Sequence, residues 1–333
     1  MTHRERIRAI IAGDTADRCG FWLGQPHPEL WPLLNRHFGT RTEAELRRLL
    51  QDEVVLLSAE YQGSTYDGPE AAIFFDILHP PAKPPLADCA DISALDDFPW
   101  PDANRLSPAP VLAALQNAGD IYRGSGTWCP FVHVLINLFG IDNYLVNMYE
   151  RPKLLHAATD RVCQFYYDAN ERVFAAAGNL MDGFFFGNDI GTQLDLLCSP
   201  RHFEEFMLPW IRQFAAQGHR HGYQVLLHSC GSIHKVMDQM IDAGIDCLHP
   251  LQARAAGMDA ETLARRFKGR VAFLGGVDTQ ELMTHASPEE VRAEVRRLKI
   301  LLGPRLIVSP SHEALLSNVP PANVQAMAEA ARE

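Results

Sequence analysis

The chain has 333 residues, 47% hydrophobic and 21% charged, with a formal net charge of −11, the balance of an ordinary globular protein. The acidic surplus argues against a phosphate-tracking nucleic-acid binder, whose footprint is a basic stripe. No stretch reaches the apolar length of a membrane span, so no membrane partner is expected. The opening residues Met1-Thr2-His3-Arg4-Glu5-Arg6 carry both charges and lack the apolar centre of a signal peptide, which points to the cytoplasm. The seven cysteines (Cys19, Cys89, Cys129, Cys163, Cys198, Cys230, Cys247) are odd in number and scattered, unlike a disulfide framework.

In chain order, apolar runs predict strands at Cys19–Leu23 and Val54–Ser58. A Pro- and Asp-rich stretch from His79 to Pro108 then reads as a long loop excursion rather than a linker, because periodic patterns resume directly after it. Further strands are expected at Ile121–Gly126, Met181–Gly187, Gln224–His228, Ile245–His249, Val271–Gly276 and Leu306–Ser309. Their near-continuous apolar character suits strands buried on both faces. Amphipathic stretches separate the later ones: Gly244 reads as a helix C-cap, and Ser287-Pro288-Glu289-Glu290 as a capped helix start. Eight strands with intervening helices predict an α/β protein, a single (β/α)8 TIM barrel over residues 1–333. No Gly-x-Gly-x-x-Gly follows the first strand and no Gly-Lys-Ser loop is present, which disfavours nucleotide-binding folds.

Chemistry in such barrels collects where strands end. Here the fourth expected strand ends in Gly187-Asn188-Asp189, the fifth in His228-Ser229-Cys230-Gly231 and the sixth in His249-Pro250. The seventh ends in Gly275-Gly276-Val277-Asp278 and the eighth in Ser309-Pro310-Ser311-His312-Glu313. His228 and Cys230 are two apart, so strand alternation sends both side chains to one side, where imidazole and thiolate can share a zinc ion. The same pair also fits a hydrogen-bonded histidine beside a buried cysteine, and spacing alone leaves both readings open. Asp189 and Asp278 read either as site carboxylates or as helix caps. Asp76, after Ala72-Ile73-Phe74-Phe75, reads either as an inward-facing polar group or as a cap.

At these residues nearly the whole chain resembles the uroporphyrinogen decarboxylase superfamily. The resemblance rests on Arg4-Glu5-Arg6-Ile7-Arg8-Ala9-Ile10-Ile11-Ala12-Gly13 with Ala16-Asp17-Arg18, and on Phe75-Asp76-Ile77-Leu78. Ser199-Pro200 with Phe203, Phe206 and Pro209, Gly275-Gly276-Val277-Asp278-Thr279-Gln280, Ser287-Pro288-Glu289-Glu290-Val291 and Val319-Pro320-Pro321-Ala322-Asn323-Val324 are similar too. The decarboxylases carry arginines just after the first strand, which clamp the substrate's carboxylates. Here that segment is Phe21-Trp22-Leu23-Gly24-Gln25-Pro26-His27-Pro28, without arginine, so the main source of porphyrinogen recognition is missing.

Leu227-His228-Ser229-Cys230-Gly231 instead resembles the His-x-Cys zinc motif of the superfamily's cobalamin-linked methyltransferases. Where that branch has a third ligand, a cysteine after the last strand, this chain has Ser311-His312. The resemblance implies a zinc-dependent methyltransferase moving a methyl group between a corrinoid, carried by a separate protein, and a small thiol or other small donor or acceptor. Its metal ligands would be His228, Cys230 and His312. Asp76, Asp189 and Asp278 would act catalytically, with Trp22, Gln25, Asn188, His249 and Gln280 on the substrate. A second copy of the chain is a further expected partner. The alternatives are a metal-free decarboxylase of a smaller substrate, using Asp76, and a non-catalytic ligand-binding barrel.

Overall fold

The computed structural model describes residues 1–62, 65–68, 71–77 and 79–333. All eight apolar runs form strands: β1 (Gly20–Phe21), β2 (Val54–Ser58), β3 (Tyr122–Gly126), β4 (Gly183–Gly187), β5 (Gln224–His228), β6 (Cys247–His249), β7 (Ala272–Val277) and β8 (Leu306–Pro310). They make one sheet in the order β1-β8-β7-β6-β5-β4-β3-β2, every neighbouring pair parallel. With helices following the strands, this is a nearly closed (β/α)8 barrel. The excursion through residues 79–108 adds no strand to that sheet; it contains the 3-10 turns Ile92–Leu95 and Ala103–Arg105. Among the described residues no single helix is long and apolar enough to cross a membrane.

β1 is shorter than its apolar run because its later amides are bonded differently. Trp22 N still donates to Val308 O at 3.0 Å, but Leu23 N donates to the Asp52 carboxylate at 3.1 Å. The joint between β1 and β2 is carried mostly by side chains of this kind. Phe21 N donates to Glu53 Oε2 at 2.9 Å, and a lone backbone bond, Glu53 N to Phe21 O at 3.1 Å, crosses beside it. Glu53 is fully buried, and the guanidinium groups of Arg6 and Arg18 and the His3 ring surround it.

Strand alternation separates two cores. On β4, Phe184 and Phe186 face outward toward the helices, while Phe185 faces the barrel interior with Trp22, Leu56, Tyr122, Leu226 and Ile307. The opening helix, His3–Ala12, closes the amino-terminal end of the barrel: it inserts Ile7, Ile10 and Ile11 into that interior. A reciprocal Thr2–Glu5 capping box starts it and Gly13, in the left-handed region at φ 85°, ends it. Each large side chain buried this way contributes about 1.5–3 kcal/mol. One end of the barrel is therefore plugged, and the carboxyl ends of the strands form the open one.

Candidate functional site

Register places the site residues at one level. Gly187 on β4 pairs with His228 on β5, which pairs with His249 on β6. The next residues, Asn188-Asp189 and Ser229-Cys230, turn over the barrel mouth. The turn after β5 requires glycine at position 231: its φ is 88°, and a Cβ there would lie 2.3 Å from the Gly191 carbonyl carbon. Gly231 N is held by Gln252 Oε1 at 2.7 Å.

His228 is the hub. Its Nε2 lies 3.2 Å from Asp189 Oδ1 and 3.4 Å from Cys230 Sγ, while its Nδ1 lies 3.0 Å from His249 Nδ1 and 3.9 Å from Glu313 Oε2. Asp189 also accepts from Cys230 N at 2.9 Å and faces His133 Nε2 at 3.6 Å. The donor atoms of Asp189, His228 and Cys230 form one group close enough to share a metal ion, and those of His228, His249 and Glu313 form a second.

In the metal-free state these groups settle each other's charge. Burial alone would lower the His228 pKa, but the Glu313 charge and the hydrogen bonds to Asp189 and Cys230 outweigh it and hold the imidazole well above its usual value. Burial would raise Asp189, yet hydrogen bonds from His133 and His228 and the His228 charge pull it far below the usual carboxylate range. His249 goes the other way: burial, then repulsion from His228 and His312, keeps it neutral. The bond between the two rings therefore runs from His228 Nδ1–H to His249 Nδ1, which leaves the His249 proton on Nε2. Cys230 is raised by burial against the opposing pull of His228, so without a metal it is a thiol.

Over this cluster lies a cavity of about 760 Å³, within the range of small-molecule sites. Trp22 and Gln25 line it from β1 and its loop, Trp128 from the end of β3, and Phe185 from β4. Trp22 meets the edge of the His249 ring at 5.2 Å between centroids, and Trp128 meets His228 at 5.0 Å. Asn188 borders the same cavity, but its amide is bonded to the backbone: Oδ1 accepts from Val132 N at 2.8 Å and Nδ2 donates to Cys129 O at 3.0 Å. These bonds fix the loop's shape and leave one donor and one acceptor site of the amide unused.

The remaining expected residues lie farther out. His312 borders the cavity, but its Nδ1 accepts from Ala314 N at 3.2 Å and it belongs to neither metal-competent group. Asp278 caps its own turn, accepting from the Gln280, Glu281 and Leu282 amides, and with Gln280 lines a neighbouring cavity that His312 also borders. Asp76 is half exposed and bonded to His79 at 2.8 Å; it is not itself on the cavity wall, although its neighbour Ile77 is. Leu78, which ends the Phe75–Leu78 segment, lies outside the described residues.

Sequence reading passed over Glu313, His133, Trp128 and Glu60. The strand-end rule that selected His312 would have reached Glu313, one residue on, and Glu60, two residues past β2. Glu60 Oε1 accepts from Trp128 N at 2.6 Å while its buried Oε2 has no hydrogen-bond partner among the described residues, and burial pushes its carboxyl up to about 7. No signal in the sequence pointed to His133, which reaches Asp189 from the helix Phe131–Phe139.

Comparison with known proteins fits this architecture. A methyltransferase from Methanosarcina mazei has the same fold, with a TM-score of 0.72 at 18% sequence identity, covering 100% of this chain and 98% of that one. No curated protein matches the sequence. Residues 126–333, from the end of β3 through β8 and so including His228, Cys230, His249 and Glu313, match the family model for uroporphyrinogen decarboxylase (URO-D). With more than half of its length so matched and its polar groups gathered at the carboxyl ends of a (β/α)8 barrel, the chain belongs to the uroporphyrinogen decarboxylase family.

Proposed function

We propose that this chain is a zinc-dependent methyltransferase, moving a methyl group between a corrinoid carried by a separate protein and a small thiol. The observation that carries the reading is the spacing around His228 Nε2. Tetrahedral zinc bonded to nitrogen or oxygen at about 2.0 Å and to sulfur at about 2.3 Å sets N···O near 3.3 Å and N···S near 3.5 Å. The corresponding separations here are 3.2 Å to Asp189 and 3.4 Å to Cys230. The ligand set this geometry favours is His228, Cys230 and Asp189, with His312 beside it on the cavity wall rather than in it. Three protein donors would leave such an ion a further coordination position for substrate.

Held by these residues, zinc would supply Lewis acidity, the chemistry that would lower the pKa of a substrate thiol and make it a nucleophile at neutral pH. The protein's own residues prepare that position. His249 fixes the tautomer and tilt of His228, Asp189 is oriented by His133 and Cys230 N, and Trp22 and Trp128 wall off water on two sides. The fold of the Methanosarcina mazei methyltransferase is compatible with this reading. The decarboxylase alternative has less support, since Asp76 is exposed and paired with His79.

Two measurements test the proposal. Zinc titration of metal-stripped protein should show stoichiometric binding that weakens about 10- to 100-fold or more in Cys230→Ser and Asp189→Asn and far less in His312→Ala. Loss of methylcobalamin absorbance in the presence of a thiol should require the bound metal. Zinc binding unchanged in both ligand variants would refute the site.

A further inference from the structure

We propose that a second cavity, set beside the first, is a binding site for a small organic acid, with Arg254 receiving its carboxylate. The proposal depends on neither zinc nor methyl transfer.

The second cavity measures about 460 Å³ and shares His312 as a wall with the first. That volume suits a compact organic molecule. Its wall is built from three strand ends: Gln252 and Arg254 lie beyond β6, Asp278 and Gln280 beyond β7, and Leu316 and Asn318 beyond β8. A molecule held there therefore stands at the same mouth of the barrel as the His228 cluster and touches a wall of its cavity.

The polar atoms still free decide what can bind. The acceptors are largely spent. Asp278 Oδ1 takes the Gln280 amide at 3.0 Å, and its Oδ2 takes those of Glu281 and Leu282 at 3.2 Å. Gln252 Oε1 takes Gly231 N at 2.7 Å, and Ser311 Oγ takes Thr279 N at 3.2 Å. The surplus is of donors. Arg254 makes no hydrogen bond among the described residues; its Nη1 stands 3.6 Å from Asp278 Oδ2. The side-chain amides of Gln280 and Asn318 have no partner among them either. Asp278, its charge partly met by three amides, anchors one corner of the guanidinium and leaves Nε and Nη2 for the paired N–H bonds that match a carboxylate.

The main cavity offers an oxyanion no such partner. The guanidinium on its wall, Arg47, already donates to Glu43 at 2.8 Å, to Asp52 at 2.5 Å and to Gly24 O at 3.0 Å. The second cavity also has an apolar side, made by Ala253, Ala314, Leu316 and Val319, and Leu316 is 53% exposed. A carbon skeleton bearing the carboxylate covers that surface and removes it from water, which a bare inorganic anion does not.

The test is calorimetric titration of the metal-free full chain with succinate, glutarate, their uncharged diamides and inorganic phosphate. Each acid should bind saturably, about tenfold or more tighter than its diamide and tighter than phosphate. Arg254→Gln should abolish the preference for acid over diamide. Leu316→Asp, which sets a like charge on the apolar side, should reduce it. Both side chains are about half exposed, so neither change disturbs the core. Equal binding of acid and diamide, absence of saturable binding by both acids, or an acid preference unchanged in either variant would overturn the proposal. Phosphate bound as tightly as the acids would also overturn it, by showing a site for a bare ion. None of these outcomes bears on zinc binding or methyl transfer, since the titrated chain carries no metal.

Discussion

Replacing Glu60 by glutamine should make the protein more stable at alkaline pH, an unusual result for removing a charge beside a candidate site. Glu60 sits just past β2 with Oε2 buried and unpartnered, and burial raises its carboxyl from 4.5 to about 7. Its folded pKa lies above the unfolded one, so between those values the native state holds more protons than the unfolded chain, and stability falls as pH rises through that window. The displacement from 4.5 to about 7, at about 1.36 kcal/mol per pH unit, makes the ionised group cost about 3 kcal/mol at pH 8. Glutamine resembles the protonated acid and keeps an oxygen to accept the Trp128 amide. Urea unfolding of parent and Glu60→Gln should therefore agree near pH 4 and diverge by about 3 kcal/mol by pH 8, the variant being the more stable. Asp52, pushed up to about 6 by burial, contributes the same slope to both proteins and cancels in the difference. Two pH–stability curves that run parallel would refute the argument.

Other outcomes follow from packing and local geometry. Gly231→Ala should destabilise the turn after β5 and weaken zinc binding together, because the added Cβ has no room beside the Gly191 backbone; intact zinc affinity with unchanged stability would count against the assigned turn. Phe186→Ala, on the fully buried outward face of β4, should cost about 3–5 kcal/mol by urea unfolding. Ser287→Ala removes one half of the capping box that starts the helix Pro288–Leu302 and should cost about 1 kcal/mol. Zinc affinity, measured by competition with a chelator, should fall as pH drops, since imidazole, thiol and carboxylate must all be free of protons to bind.

The barrel was legible because its strands are buried on both faces and so read as unbroken apolar runs; β2 and β5 match their expected spans to the residue. β1 was overestimated because nothing in Cys19–Leu23 tells that Leu23 N will bond a carboxylate rather than a strand. The His228–Cys230 pairing was visible as spacing within one strand end. The partnership with Asp189 and the contacts with Glu313 and His249 depend on register between strands, which local pattern does not encode. Asp278 was chosen for its place past β7, yet its oxygens are spent on three amides of its own turn. His133 escaped notice because it acts from a helix, where polar residues are ordinary.

The joint between β1 and β2 is made differently from the rest of the ring. Seven of the eight joints around the ring are backbone ladders, but this one is stitched by the carboxylates of Asp52 and Glu53 with a single main-chain bond. Trp22, Val54 and Leu56 border the cavity along that line, so a substitution that removes either carboxylate would loosen the chamber's wall on the side away from His228, Cys230 and Asp189.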